Sequence, residues 1–154
     1  TEACTDLDFD GLEKEASLTG YFATVSGFDY AIPECSNNRN CNSQNMTAFA
    51  ESVALTGPPS ICVNANTWVS YTGGVMTTDA CGGNGMMNMD HCVQLTGYNA
   101  DADTPYWIVR NSWATDWGEN GYIYLQFDDT NPCGIANEAT YPQLGTTPAD
   151  PTMI

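Results

Sequence analysis

His91 is the only histidine in a chain that carries seven cysteines. It opens an apolar stretch, "DHCVQLTGY", and Asn111 closes another, "PYWIVRN", a little further on. An imidazole fixed by a side-chain amide can take and return a proton, with one ring nitrogen held and the other left for a nucleophile. A buried structural histidine beside a turn asparagine would leave the same spacing, so spacing alone does not decide between them. Metal chemistry is poorly served. One histidine and no C-x-x-C pair leave few ligands, so neither a metal nor a cofactor is expected.

The elements that must position these two residues are short strands. Cys92–Tyr98, Tyr106–Ser112 and Tyr122–Phe127 are strand candidates, with a shorter one at Ala139–Tyr141. In the third of these, Ile123, Leu125 and Phe127 alternate with Tyr122, Tyr124 and Gln126. Two neighbouring antiparallel strands would bring His91 and Asn111 together. Upstream, Tyr21 to Ile32 alternates loosely and breaks near Gly27, and "SICVNA" reads as a short buried strand. One helix is expected, about Asn45–Thr56, capped by Ser43 or Asn45. Met46, Phe49, Val53 and Ala54 would lie on its inner face, and Gly57-Pro58-Pro59 would stop it. The class is α+β, with a mainly antiparallel, barrel-like half. Residues 1–142 form the domain, with 1–20 as an arm or loop, and 143–154 read as a Pro-rich surface tail.

Composition narrows the partners. Nineteen acidic residues face Lys14, Arg39 and Arg110, a formal net charge of −16, which repels nucleic acid and anionic membranes. No apolar run is long enough to span a bilayer, so membrane insertion is not expected. A start at Thr1, without a leader, reads as a mature or cleaved product. Seven cysteines point to disulfides in an oxidising compartment, and the odd count leaves one free or paired outside the chain. Cys35 and Cys41 could close a small ring. The Asn45-Met46-Thr47 sequon also fits secretion.

"DHCVQLTGY", "YWIVRNSWATDWGENGYIYL" and "NPCGIANEATYP" together resemble the C-terminal half of the papain-like cysteine peptidases, with the closing part most like the cathepsin L group. The resemblance is dense from Asp90 to Pro142 and thinner upstream, through "GPPSICVNA" and "VSYTGGV". It implies a papain-like fold in which His91 is the base and acid partner of a cysteine and Asn111 orients it. Asp90, Trp113 and Trp117 would support that pair, Trp113 by covering its hydrogen bond. It implies a Cys81–Cys133 bridge and a Cys4 that bonds across to the other half of the fold. Cys62, Met89 and Cys92 fall where the family lines its main specificity pocket. For Cys62 and Cys92, two free thiols and a cross-strand disulfide both remain open. Met86 and Met87 could form a cleft rim or fill a mobile loop.

The Gln…Cys-Gly-Ser-Cys-Trp segment that carries the family's nucleophile has no counterpart here. The expectation is therefore one chain of a cysteine endopeptidase, inactive alone. An N-terminal half chain, disulfide-linked, would supply the cysteine, with protein or peptide as substrate and a secreted or lysosomal/vacuolar location. The alternative is a non-catalytic papain-like subunit of a larger assembly.

Overall fold

A computed structural model of the chain describes residues 25–145. The chain divides into two compact units, Thr1–Phe28 with Pro142–Ile154, and Asp29–Tyr141. The candidate site lies wholly in the second. Cys4 and the expected 1–20 arm fall outside the described residues, as does most of the expected tail.

Among the described residues seven strands occur: β1 (Val25–Tyr30), β2 (Ser60–Val63), β3 (Val75–Met76), β4 (His91–Asn99), β5 (Tyr106–Arg110), β6 (Tyr122–Gln126) and β7 (Thr140–Leu144). They form one sheet in the order β1-β7-β2-β4-β5-β6-β3, open rather than closed, with β3 alongside β6 as a parallel pair. Strand β7 runs on through Gln143 and Leu144, both exposed.

Alternation explains the sheet's inner face. Val93 and Leu95 of β4, Trp107 and Val109 of β5, and Ile123 and Leu125 of β6 are all buried. The register stacks them into rungs, Leu95 against Val109, Val109 against Ile123, and Trp107 against Leu125. Completely burying side chains of this size contributes about 1.5–3 kcal/mol each, so these rungs hold the strands that bear His91 and Asn111.

Helix α1 (Met46–Thr56) packs on this core, with the Phe49 ring 5.3 Å from that of Trp107. Asn45 is its N-cap, its side chain accepting from the Ala48 amide at 3.0 Å, and Gly57 ends it at φ 109°. The buried residues are Met46, Phe49, Ala50 and Val53, whereas Ala54 is exposed. Ala50 lies four residues after Met46 and three before Val53, which puts it on their face, and the two alanines differ in nothing but position.

Candidate active site

The geometry starts with strand register. Gln94 of β4 pairs with Arg110 of β5, which sets Asn111 against Val93 and puts His91 on the same face two residues earlier. Side chains can reach across that diagonal, and these do. His91 Nε2 lies 2.9 Å from Asn111 Oδ1. The amide is oriented by a second donor, because the Ser112 amide also donates to Oδ1, at 2.8 Å. An amide oxygen only accepts, so Nε2 carries the hydrogen. Nδ1 is left as the basic nitrogen of the neutral ring. Asn111 itself is buried, its backbone N–H donating to Gly121 O at 2.9 Å. Among the described residues its Nδ2 has no hydrogen-bond partner, a cost of about 1–3 kcal/mol accepted for the placement of Oδ1.

Aromatic rings set the orientation of the imidazole. Trp113 stacks on His91 with centroids 5.3 Å apart and planes 25° apart. Trp117 meets Trp113 edge-on at 5.1 Å and stacks on Trp68 at 6.3 Å. Trp68, fully buried, stands edge-on to His91 at 6.4 Å, and Tyr71 packs on Trp117 at 5.5 Å. Polar ends are satisfied around this cluster: Trp117 Nε1 donates to Trp68 O and Trp68 Nε1 to Cys133 Sγ. Tyr71 Oη donates to Gly74 O and accepts from the Tyr124 amide. Burial pushes the Tyr71 hydroxyl above its ordinary pKa.

The loop bearing the tryptophans depends on Gly118. At φ 53°, a Cβ there would stand 2.6 Å from Tyr122 O and 2.9 Å from the Tyr71 ring. A depression of about 250 Å³ opens beside the histidine, lined by Ala65, Asn66, Val69, Asp90, His91 and Trp113.

The residues singled out from sequence fall into distinct places. His91, Asn111, Trp113 and Trp117 come together. Asp90 is adjacent but serves the backbone: its carboxylate accepts from the Ala65 amide at 2.8 Å and its own amide donates to Val63 O at 3.0 Å. Cys62 and Cys92 face each other across β2 and β4 and are joined as a disulfide. Cys35–Cys41 and Cys81–Cys133 are the other two bridges. Met89 turns its sulfur toward Asn137 Nδ2 at 3.5 Å and packs over Gly134. The depression beside His91 is lined by neither the Cys62–Cys92 pair nor Met89. Met86 is half-buried, and Met87 is exposed.

Trp68, Tyr71, Ala65, Asn66 and Val69 were not identified from sequence. Ala65, Val69 and Tyr71 fall within the thinner resemblance of "GPPSICVNA" and "VSYTGGV", but the run "NANTWVSY" has no strand or helix periodicity, and Trp68–Ser70 is a single 3-10 turn. Among the described residues, no group of three or more His, Cys, Asp or Glu is placed to hold a metal, and no helix is long and apolar enough to cross a membrane.

The family model described as papain family cysteine protease matches residues 21–143. The chain belongs to that family. The oryzain gamma chain of Oryza sativa subsp. japonica is 36% identical over 138 residues, covering 86% of this chain and 37% of that protein. Cysteine proteinase 1 of Dictyostelium discoideum is 41% identical over 135 residues, covering 82% and 38%. The structure of digestive procathepsin L 3 of the Tenebrio molitor larval midgut superposes with a TM-score of 0.63 at 30% identity, covering 79% of this chain and 36% of that one. The chain thus spans less than half the length of these relatives.

Proposed function

We propose that the chain supplies the histidine–asparagine half of a cysteine endopeptidase site, completed by a cysteine nucleophile on a separate polypeptide. The observation that carries this reading is the His91 Nε2–Asn111 Oδ1 contact under Trp113, which leaves Nδ1 as the reactive nitrogen.

In this reading the incoming cysteine gives its proton to Nδ1 and attacks the peptide carbonyl as a thiolate. The imidazolium then protonates the departing amine. Water loses a proton to Nδ1 as it attacks the thioester, and the cysteine is released. Asn111 keeps the ring plane fixed through both transfers, and the tryptophans limit water around the Nε2 hydrogen bond. Asp90 holds the β2–β4 connection against which the ring is set. The depression lined by Ala65, Asn66 and Val69 accommodates part of the peptide beside the reacting nitrogen, and Cys62, Met89 and Cys92 remain candidates for side-chain selection. Three disulfides support an oxidising setting, secreted or lysosomal/vacuolar. Cys4 is proposed as the link to the other chain.

The test is an intact-mass spectrum of native material treated with an electrophilic peptidyl probe for active-site thiols, before and after reduction. The expected result is a heavier species that separates on reduction, with the probe on the second chain. A companion chain that takes no probe would replace the peptidase reading with that of a non-catalytic subunit.

A further inference from the structure

The three disulfides differ in their exposure to solvent. Cys81 and Cys133 are 1% and 0% exposed, and Cys35 and Cys41 are 7% and 0%. Cys92 is exposed and Cys62 half-buried. Strand alternation accounts for this. Ile61, Val63 and Val93 point into the core, so the residues between them, Cys62 and Cys92, occupy the outer face. Their Cα atoms are 4.0 Å apart, the close spacing of residues directly opposite in an antiparallel pair.

The position of this bond in the ladder is as notable as its exposure. The β2–β4 register ends at Val63 against His91, so Cys62–Cys92 lies one rung from the end that bears the imidazole. Strand ends fray, and a covalent bond at the penultimate rung opposes fraying at His91. Beyond it, the end is held by two hydrogen bonds of Asp90, to Val63 O and from the Ala65 amide.

We propose that Cys62–Cys92 is a thiol–disulfide exchange site, open to a dithiol reductant, whose state sets how firmly β4 holds His91. A thiolate of the dithiol attacks Cys92 Sγ, the more exposed sulfur, and the S–S bond breaks. Cys62 leaves as a thiolate and takes a proton. The second thiolate of the reductant then attacks its own sulfur in the mixed disulfide, closing the reductant's ring and freeing Cys92, which is protonated in turn. Two electrons pass from the dithiol to the cystine, and the dithiol's two protons end on Cys62 and Cys92. Exposed disulfides are the labile and regulatory ones, whereas the buried pairs resist attack for want of access. With the bond open, the His91 end of β4 loses its covalent tie and keeps the Asp90 hydrogen bonds and the packing of Trp113 and Trp68, and the imidazole samples more orientations against Asn111. Cys62 and Cys92 are positioning residues in this scheme. A consequence for catalysis rests on the peptidase reading; the exchange itself and the response of the imidazole do not.

The experiment uses the full chain with any chain that copurifies, titrated with limiting dithiothreitol, alkylated, and mapped by mass. Cys62 and Cys92 are expected to be labelled about tenfold sooner than Cys35, Cys41, Cys81 and Cys133. In parallel, histidine labelled in this chain gives one imidazole signal, because His91 is its only histidine. That signal is expected to shift or broaden on selective reduction while far-ultraviolet circular dichroism is unchanged. C62A/C92A should reproduce the reduced form without any reductant. If the buried bridges open first or together with this one, the exchange site is refuted. An identical His91 signal in the oxidised, reduced and C62A/C92A forms would overturn the link to the imidazole. A companion chain that takes no thiol probe would remove the peptidase reading and leave both results standing.

Discussion

Asn131 and His91 both sit in polar clusters, and Met89 links the two, its sulfur on Asn137 and its backbone two residues from the imidazole. Around Asn131 both polar atoms of the side chain have partners. Its Nδ2 donates to Cys41 O and to Asn137 Oδ1, and its Oδ1 accepts from the Ala136 amide. Asn137 Nδ2 donates to Asn84 O, and the Asn84 side chain joins Cys41, Asn42, Thr130 and Asn131. Asn131 and Asn137 are wholly buried, and the cluster ties the Cys35–Cys41 loop to the Cys81–Cys133 region. Around His91 the pattern reverses. One ring nitrogen is spent on Asn111 and the other is left, in a half-exposed ring beside an open depression. A saturated buried network specifies a fold, whereas a pair with one unspent nitrogen can do chemistry.

That contrast can be broken most sharply at His91. On the peptidase reading, His91→Ala in the intact protein is expected to lower peptide hydrolysis by about 10²–10⁴-fold. Its effect on urea-induced unfolding should stay within roughly 1 kcal/mol. Asn131→Leu should do the opposite. Three hydrogen bonds are lost and their buried partners stranded, so stability falls by about 3 kcal/mol or more. The rate per folded molecule should be unchanged, as measured by initial rates scaled to the folded fraction. If Asn131→Leu slows catalysis as much as it weakens folding, the two clusters are not separable.

Asn111→Ala is next in size. The ring keeps its stacking on Trp113 but loses its anchor, and a misplaced base costs about 10²-fold in kcat/KM. The bell-shaped pH–rate curve of a thiol–imidazole pair should also change. Gly118→Ala is the mildest. Its Cβ meets Tyr122 O and its left-handed backbone disfavours a side chain, so a loss of roughly 1–3 kcal/mol is expected in thermal or urea unfolding. Because the loop also carries Trp113 and Trp117, a smaller fall in rate should accompany it.

The strands around the site were legible because half-buried strands alternate. Val93, Leu95, Val109, Ile123 and Leu125 announce their inward face in sequence, and the family motif names Asn111, Trp113 and Trp117 within one run. Helix α1 was legible from its cap and its Gly-Pro-Pro stop, apart from the exchange of Ala50 for Ala54. Strand β3 was not, because two residues carry no period and its parallel pairing to β6 is long-range. The floor of the site was hidden for a similar reason: Trp68 lies on a 3-10 turn and Tyr71 directly follows it, and both pack against Trp117. Asn84, Asn131 and Asn137 look like turn residues in sequence, since an asparagine's local signal is the same exposed or buried. Asn131 does occupy a left-handed turn, at φ 54°, yet is fully buried.

The most direct measurement of the central claim is the nitrogen-15 spectrum of labelled His91 at a pH where the ring is neutral. The hydrogen bond to Asn111 Oδ1 predicts the tautomer protonated at Nε2, with Nδ1 carrying the lone pair, and Asn111→Ala should move the population toward a mixture. A ring protonated at Nδ1, or one whose tautomer ignores Asn111, would mean that His91 does not present the nitrogen a thiol needs.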